Sequence, residues 1–145
     1  MRILYHIPSL YTIYAGRTIY HGYKNAFHAL GHDFRPLTSD DSLSDIVESF
    51  GPHIFITSSH FYYQRFLDLK ELKKYRDQGL VVFVNIDAWR SGLNKSRINE
   101  ASALKDNEKV LSYLKNGLLG DIFIQGIEQD DPRMDGFERE TGCAY

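Results

Sequence analysis

The stretch Gly51-Pro-His-Ile-Phe-Ile-Thr57 decides the fold class of this chain. Its centre, from Ile54 to Ile56, is an unbroken apolar run, and the Gly51-Pro52 pair before it ends any preceding helix. Strands with one face in water alternate apolar and polar side chains, whereas strands of a parallel sheet are buried on both faces and are apolar throughout. We therefore predict that residues 53–57 form a buried strand of a parallel sheet.

Four further strand-like runs lie on either side of it, at 2–7, 33–37, 80–86 and 121–125. Helical patterns separate these runs, and the clearest is Leu43, Ile46, Val47 and Phe50 at i, i+3, i+4 and i+7. Other helices are predicted from Gly16 to Gly31, over 63–77, and in two pieces before the last strand. Strands that alternate with helices predict an α/β fold with a mostly parallel sheet of five or more strands. Ligands of such sheets bind beyond the carboxyl ends of the strands, where the strand order reverses.

Bulk properties exclude several classes of protein. A chain of 145 residues fits one domain, 1–145, and its net charge of −2 gives no reason to expect a nucleic-acid partner. The single cysteine favours a reducing, cytoplasmic location, and we find no signal peptide. The longest apolar run, 80–84, is too short for a transmembrane segment. Cys/His pairs with metal-ligand spacing are lacking, so we predict no metal site.

The loop after the first strand leads to Gly16 and Arg17. Gly16 lies near a helix amino terminus, where free N–H groups and the helix dipole favour an anion, and Arg17 would add a charged contact. The alternative is that Gly16 only permits a tight turn and that Arg17 is solvated. Neither G-x-G-x-x-G nor a P-loop motif occurs, so we expect no dinucleotide cofactor.

The loop after the third strand carries Ser58, Ser59 and His60. Its hydroxyls would bind an acceptor molecule, and His60 has a side chain suited to a general base. The alternative is that the hydroxyls cap the next helix and that His60 is a surface residue.

The loops after the fourth and fifth strands add Asp87, Trp89 and Glu128. Asp87 would accept a hydroxyl proton or bind two hydroxyls, while Trp89 would stack on the apolar face of a sugar ring. Glu128 would point into the same cleft. A capping Asp and a packed Trp are the alternative for the first two residues.

The order and spacing of these segments resemble the amino-terminal domain of a GT-B glycosyltransferase, and more narrowly its bacterial spore-maturation (CgeB-like) branch. The segments that carry the resemblance are Met1-Arg-Ile-Leu-Tyr5 with the Gly16 loop, Tyr23 to Phe34, Gly51 to Ile56, Leu69 to Asp87 and the tail Phe137 to Tyr145. The resemblance therefore spans nearly the whole chain.

This resemblance implies a Rossmann-like, three-layer α/β/α sandwich that forms the acceptor-side half of a two-domain enzyme. A second domain would hold most of the nucleotide-sugar donor, and this one would bind a sugar or another hydroxyl acceptor. Asp87 or His60 would be the base, with Gly16 and Arg17 towards the donor phosphates. We expect this domain alone not to turn over donor. The alternative is a non-catalytic α/β domain that binds a ligand or regulates, of the flavodoxin-like or receiver-like kind.

Overall fold

A computed structural model of the protein describes residues 1–11, 15–86, 108, 110–118, 122–124 and 141. The strands are β1 Arg2–His6, β2 Asp33–Leu37, β3 Ile54–Ser58, β4 Val81–Ile86 and the short β5 Ile122–Ile124. They lie in the order β2-β1-β3-β4-β5, and every pairing among them is parallel. The prediction of an α/β fold with a parallel sheet is confirmed.

The helices with described bounds are α1 Ala15–Ala29, α2 Leu43–Phe50, α3 Phe61–Gln64 and α4 Leu69–Asp77, and residues 110–115 are also helical. Gly31, with φ at 74°, ends α1 in the left-handed conformation that glycine adopts without strain. Ser42 caps α2, because its hydroxyl accepts a hydrogen bond from the N–H of Asp45. Local signals in the sequence therefore set these helix ends.

The sheet is covered on both faces because alternate strand side chains point in opposite directions. Ile3, Tyr5 and Ile56 pack against Tyr20 of α1. The other face carries a larger cluster, which comprises Leu4, Phe55, Val82 and Val84 of the strands together with Leu43 and Ile46 of α2, Leu72 and Tyr75 of α4, and Val110 and Tyr113. This burial explains why the central strands are apolar along most of their length.

One predicted helix is wrong in the structure. Residues 63–77 were expected to be a single helix, but α3 ends at Gln64 and α4 begins at Leu69. Asp68 starts α4 by accepting hydrogen bonds from the N–H groups of Lys70 and Glu71, and Phe66 in the connection is 42% exposed. A side-chain cap of this kind competes locally with a continuous helix, and apolar spacing alone does not reveal it.

Candidate functional site

The carboxyl ends of β1 and β3 form the candidate site. β1 lies between β2 and β3, so the chain leaves β1 towards one side of the sheet and later returns to its other side. The strand order therefore reverses between β1 and β3, and this is where ligands of open parallel sheets bind. The predicted residues of the first and third loops follow these two strands.

Gly16 is in tight contact with Tyr63 of α3 at this end of the sheet. A Cβ atom at Gly16 would lie 2.6 Å from the Tyr63 hydroxyl oxygen, which is closer than van der Waals contact allows. Glycine thus lets the first turn of α1 approach α3 across the switch point. Arg17 is exposed beside it. The two predicted donor-side residues lie at the same edge as the serine and histidine loop.

We expect Gly16→Ala to lower the free energy of unfolding by about 1 kcal/mol relative to Gly22→Ala, because the Tyr63 side chain must leave its preferred rotamer. A Cβ at Gly22, in the same helix, meets nothing within 4 Å, so Gly22→Ala should stabilise the helix by about 0.5–1 kcal/mol. Urea unfolding of both variants measures the difference.

Removal of the Tyr63 hydroxyl provides the matched control. In a double-mutant cycle with Tyr63→Phe, the effect of Gly16→Ala should approach that of Gly22→Ala. An unchanged penalty in the Tyr63→Phe background would show that the contact with the hydroxyl does not determine the choice of glycine.

Ser58 and His60 begin α3 with local hydrogen bonds. The Ser58 hydroxyl accepts from the His60 N–H at 3.1 Å, and the His60 ring Nδ1 accepts from the Tyr62 N–H at 3.3 Å. A neutral His60 ring with Nδ1 as acceptor carries its proton on Nε2. These bonds match the alternative in which the loop caps the next helix. The His60 side chain is exposed, as that alternative expects.

Ser59 extends the sheet beyond β3. Its N–H donates to the carbonyl of Asn85 at 3.0 Å, and both residues are buried. This bond holds the third loop against the end of β4. Asp87, one of the two predicted bases, comes two residues after Asn85 in the chain.

A buried histidine lies under the switch point. His6, the last residue of β1, has no exposed surface, and its ring is stacked on Phe55 and meets Tyr63 edge-on. Burial lowers the pKa of His6 to about 3, because a charged imidazole would lose its hydration there. The side chain is therefore neutral at physiological pH.

Hydrogen bonds link His6 to two other buried side chains. His6 Nδ1 and the Thr57 hydroxyl are 2.9 Å apart. The Tyr113 hydroxyl donates to the Ser58 carbonyl at 3.2 Å. Burial raises the pKa of Tyr113, and a hydrogen bond with Thr57 partly offsets this rise. Because the single Tyr113 proton is donated to the Ser58 carbonyl, Thr57 is the donor in this bond.

The same bonds connect three elements around the site. Tyr113 joins the 110–115 helical segment to β3, and Gln64 of α3 is hydrogen-bonded to Ser112 of that segment. These bonds fix the short helix α3, and with it Tyr63, over the end of β1. The site is thus supported by β3 and by two helical segments.

Sequence reasoning missed His6, Tyr63 and Tyr113. His6 is a polar residue within the apolar run of the first strand, and this is the signal that marks it. The other two residues come from segments distant in the chain, so local patterns do not place them beside it.

Three predicted site residues, Asp87, Trp89 and Glu128, lie outside the described residues. Across the parts of the chain that the structure describes, His, Cys, Asp and Glu side chains form no group of three that could hold a metal ion. Among those same parts, no helix has the length and apolar character needed to cross a membrane.

Comparison with known proteins does not place the chain in a family. No known protein-family model matches it, and no curated protein shows significant similarity to it.

Proposed function

We propose that residues 1–145 form a Rossmann-like, three-layer α/β/α domain that binds the acceptor of a glycosyltransferase with a nucleotide-sugar donor. The observation that carries this proposal is the position of the predicted residues. Gly16, on the first loop, and the Ser58–His60 loop lie at one end of a parallel sheet, and the Gly16–Tyr63 contact brings their helices together. A second domain would contribute most of the donor site.

In this proposal, Ser58, Ser59 and Trp89 contact the acceptor, while Gly16 and Arg17 lie towards the donor phosphates. Glu128 would contact substrate from the loop after β5. An acceptor hydroxyl attacks the anomeric carbon of the donor sugar, the bond to the nucleotide breaks, and a base takes the hydroxyl proton.

Asp87 is the stronger of the two proposed bases. His60 Nδ1 already accepts a hydrogen bond from the backbone of Tyr62, so His60 would have to break the cap of α3 or change tautomer to accept a proton. Asp87 directly follows Ile86, the last residue of β4, and an ionised carboxylate accepts a proton without a change of tautomer. We expect Asp87→Asn to lower the rate of the joined, two-domain enzyme by about a hundredfold or more. His60→Gln should have a much smaller effect on the same rate.

The test compares this chain alone with this chain joined to a candidate donor-binding domain. Each protein is incubated with UDP-glucose or GDP-mannose and a panel of simple sugars as acceptors, and release of nucleotide is measured. We expect turnover only when a second α/β domain is present. Transfer at ordinary enzymatic rates by the 145-residue chain alone would contradict the division of roles, and no transfer by the longer protein with any tested pair would reject this function.

A second candidate is a non-catalytic ligand-binding or regulatory domain, and the strand order favours it. The order β2-β1-β3-β4-β5 is the flavodoxin-like arrangement, whereas a dinucleotide-binding Rossmann half places its third strand outside the second. This candidate predicts saturable binding at the switch point with no turnover by any form of the protein. A colourless purified protein would argue against FMN as the ligand.

A further inference from the structure

The side chain of His6 has one nitrogen without a hydrogen-bond partner. Among the described residues, Nε2 of His6 is the buried side-chain polar atom for which the structure shows no donor or acceptor within reach. Buried polar groups in proteins are almost always hydrogen-bonded, so an exception at a predicted ligand site requires an explanation.

The hydrogen-bond chain determines which kind of partner Nε2 needs. Tyr113 gives its only proton to the Ser58 carbonyl, so its oxygen can only accept from the neighbouring Thr57 hydroxyl. The Thr57 oxygen is then left to accept, so the 2.9 Å bond to His6 is donated by the Nδ1–H group. A neutral imidazole has one N–H, and Nε2 of His6 is therefore a lone-pair acceptor.

Charged partners are disfavoured at this position. Two aromatic side chains contact the His6 ring. Phe55 stacks on it with the ring centroids 6.2 Å apart, and Tyr63 meets it edge-on with the centroids 5.7 Å apart. An anion would be repelled by the lone pair of Nε2. A cation would lose its hydration in a buried site that offers no negative charge to compensate. A neutral hydroxyl has the proton that Nε2 lacks and carries no net charge.

We propose that Nε2 of His6 accepts a hydrogen bond from a neutral hydroxyl group of a ligand bound between the carboxyl ends of β1 and β3. His6 binds and orients that hydroxyl and takes no part in proton transfer. The proposal rests on the acceptor site described above, but it does not require sugar transfer. Tyr63, half-buried on the four-residue helix α3, meets the His6 ring edge-on, and in this proposal its side chain moves to admit the hydroxyl.

The tautomer is tested by NMR of the whole chain with ¹⁵N-labelled histidine. We expect His6 to show a protonated Nδ1 and an unprotonated Nε2, with no titration between pH 5 and pH 8, roughly the range in which an ordinary histidine changes charge. In Thr57→Val the acceptor for Nδ1–H is lost, and the spectrum should shift towards the other tautomer. Thr57→Ser keeps the hydroxyl and should preserve the wild-type spectrum. A proton on Nε2 in the wild-type protein would overturn the proposal.

The ligand is tested in the same spectra with glycerol and with glucose as probes. We expect at least one of them to shift the His6 Nε2 signal in a saturable way, as a new hydrogen bond to the lone pair requires. The Nε2 signal could instead show a hydrogen bond in the free protein and remain unchanged with either probe. The partner would then be a buried water molecule, and the proposal would be overturned. A signal without any hydrogen bond in both states would overturn it as well.

His6→Asn tests the contribution of the acceptor, since an asparagine retains an N–H near the Nδ1 position and lacks Nε2. We expect this variant to bind the responding probe about tenfold more weakly, which is the effect of one hydrogen bond. Glycerol and glucose binding that is unchanged in folded His6→Asn would contradict the proposal. If that variant does not fold, Thr57→Val provides the same comparison. Failure of sugar transfer would leave these binding results unaffected, so the two proposals fail separately.

Discussion

Acidification will destabilise this protein through His6 by up to about 5 kcal/mol, at a rate of about 1.4 kcal/mol per pH unit. The ordinary pKa of histidine is 6.5, and burial lowers that of His6 to about 3 in the folded protein. Between these two values the unfolded chain binds a proton at this residue and the folded chain does not. The stability that depends on a neutral His6 ring is therefore fully present above pH 6.5, and it is lost progressively as the pH falls towards 3.

The measurement is urea unfolding of the wild type and of His6→Asn at intervals between about pH 7 and pH 4, which covers most of the range in which only the unfolded chain binds the proton. Exposed carboxyl groups titrate in both proteins, so their contributions cancel in the comparison. We expect the wild type to lose stability with acid more steeply than the variant, even if the variant is less stable at neutral pH. Parallel pH profiles would show that His6 is not buried as a neutral ring.

Phe55→Ala will lower the free energy of unfolding by about 3–5 kcal/mol. Phe55 is the second residue of β3, has no exposed surface and is part of the larger core cluster. Removal of its ring leaves a cavity that the strands on either side cannot close, and it also removes the surface on which His6 stacks. A loss of this size is a large part of the stability of an ordinary domain.

Phe66→Ala is the matched control, because it deletes the same atoms from a side chain that is 42% exposed. We expect it to cost less than about 1 kcal/mol, since little packing is lost. Chemical denaturation of both variants at neutral pH gives the comparison. Equal losses would mean that Phe55 is not in the packed core. His6 should also become less shielded in Phe55→Ala, so its pKa should rise towards the ordinary value.

Much of the architecture was predictable because it depends on neighbouring residues. β2 lies at the predicted residues, Asp33–Leu37, and β3 is displaced by one residue to Ile54–Ser58. Apolar runs of strand length, and glycines that end helices, are patterns of a few neighbouring residues. They can therefore be recognised in the sequence alone. The break between α3 and α4 was missed because the Asp68 cap competes with an apolar spacing that suits a longer helix.

The candidate site was only half predictable. Loops after parallel strands point to one edge of a sheet, so Gly16, Ser58, Ser59 and His60 were expected there from topology alone. Whether a side chain of that edge acts as a cap or as a base depends on its hydrogen bonds. The bond from the Tyr62 N–H to His60 is a property of the folded loop.

The sequence by itself determined the fold class of this protein, because unbroken apolar strands between amphipathic helices leave few arrangements other than a parallel sheet covered on both faces. Only the tertiary structure decided the chemistry of its centre. His6, Thr57 and Tyr113 are far apart in the chain and are brought together when β1, β3 and the 110–115 segment pack. The low pKa of His6 and its vacant acceptor arise from the loss of water in that packed environment, which no local stretch of sequence specifies.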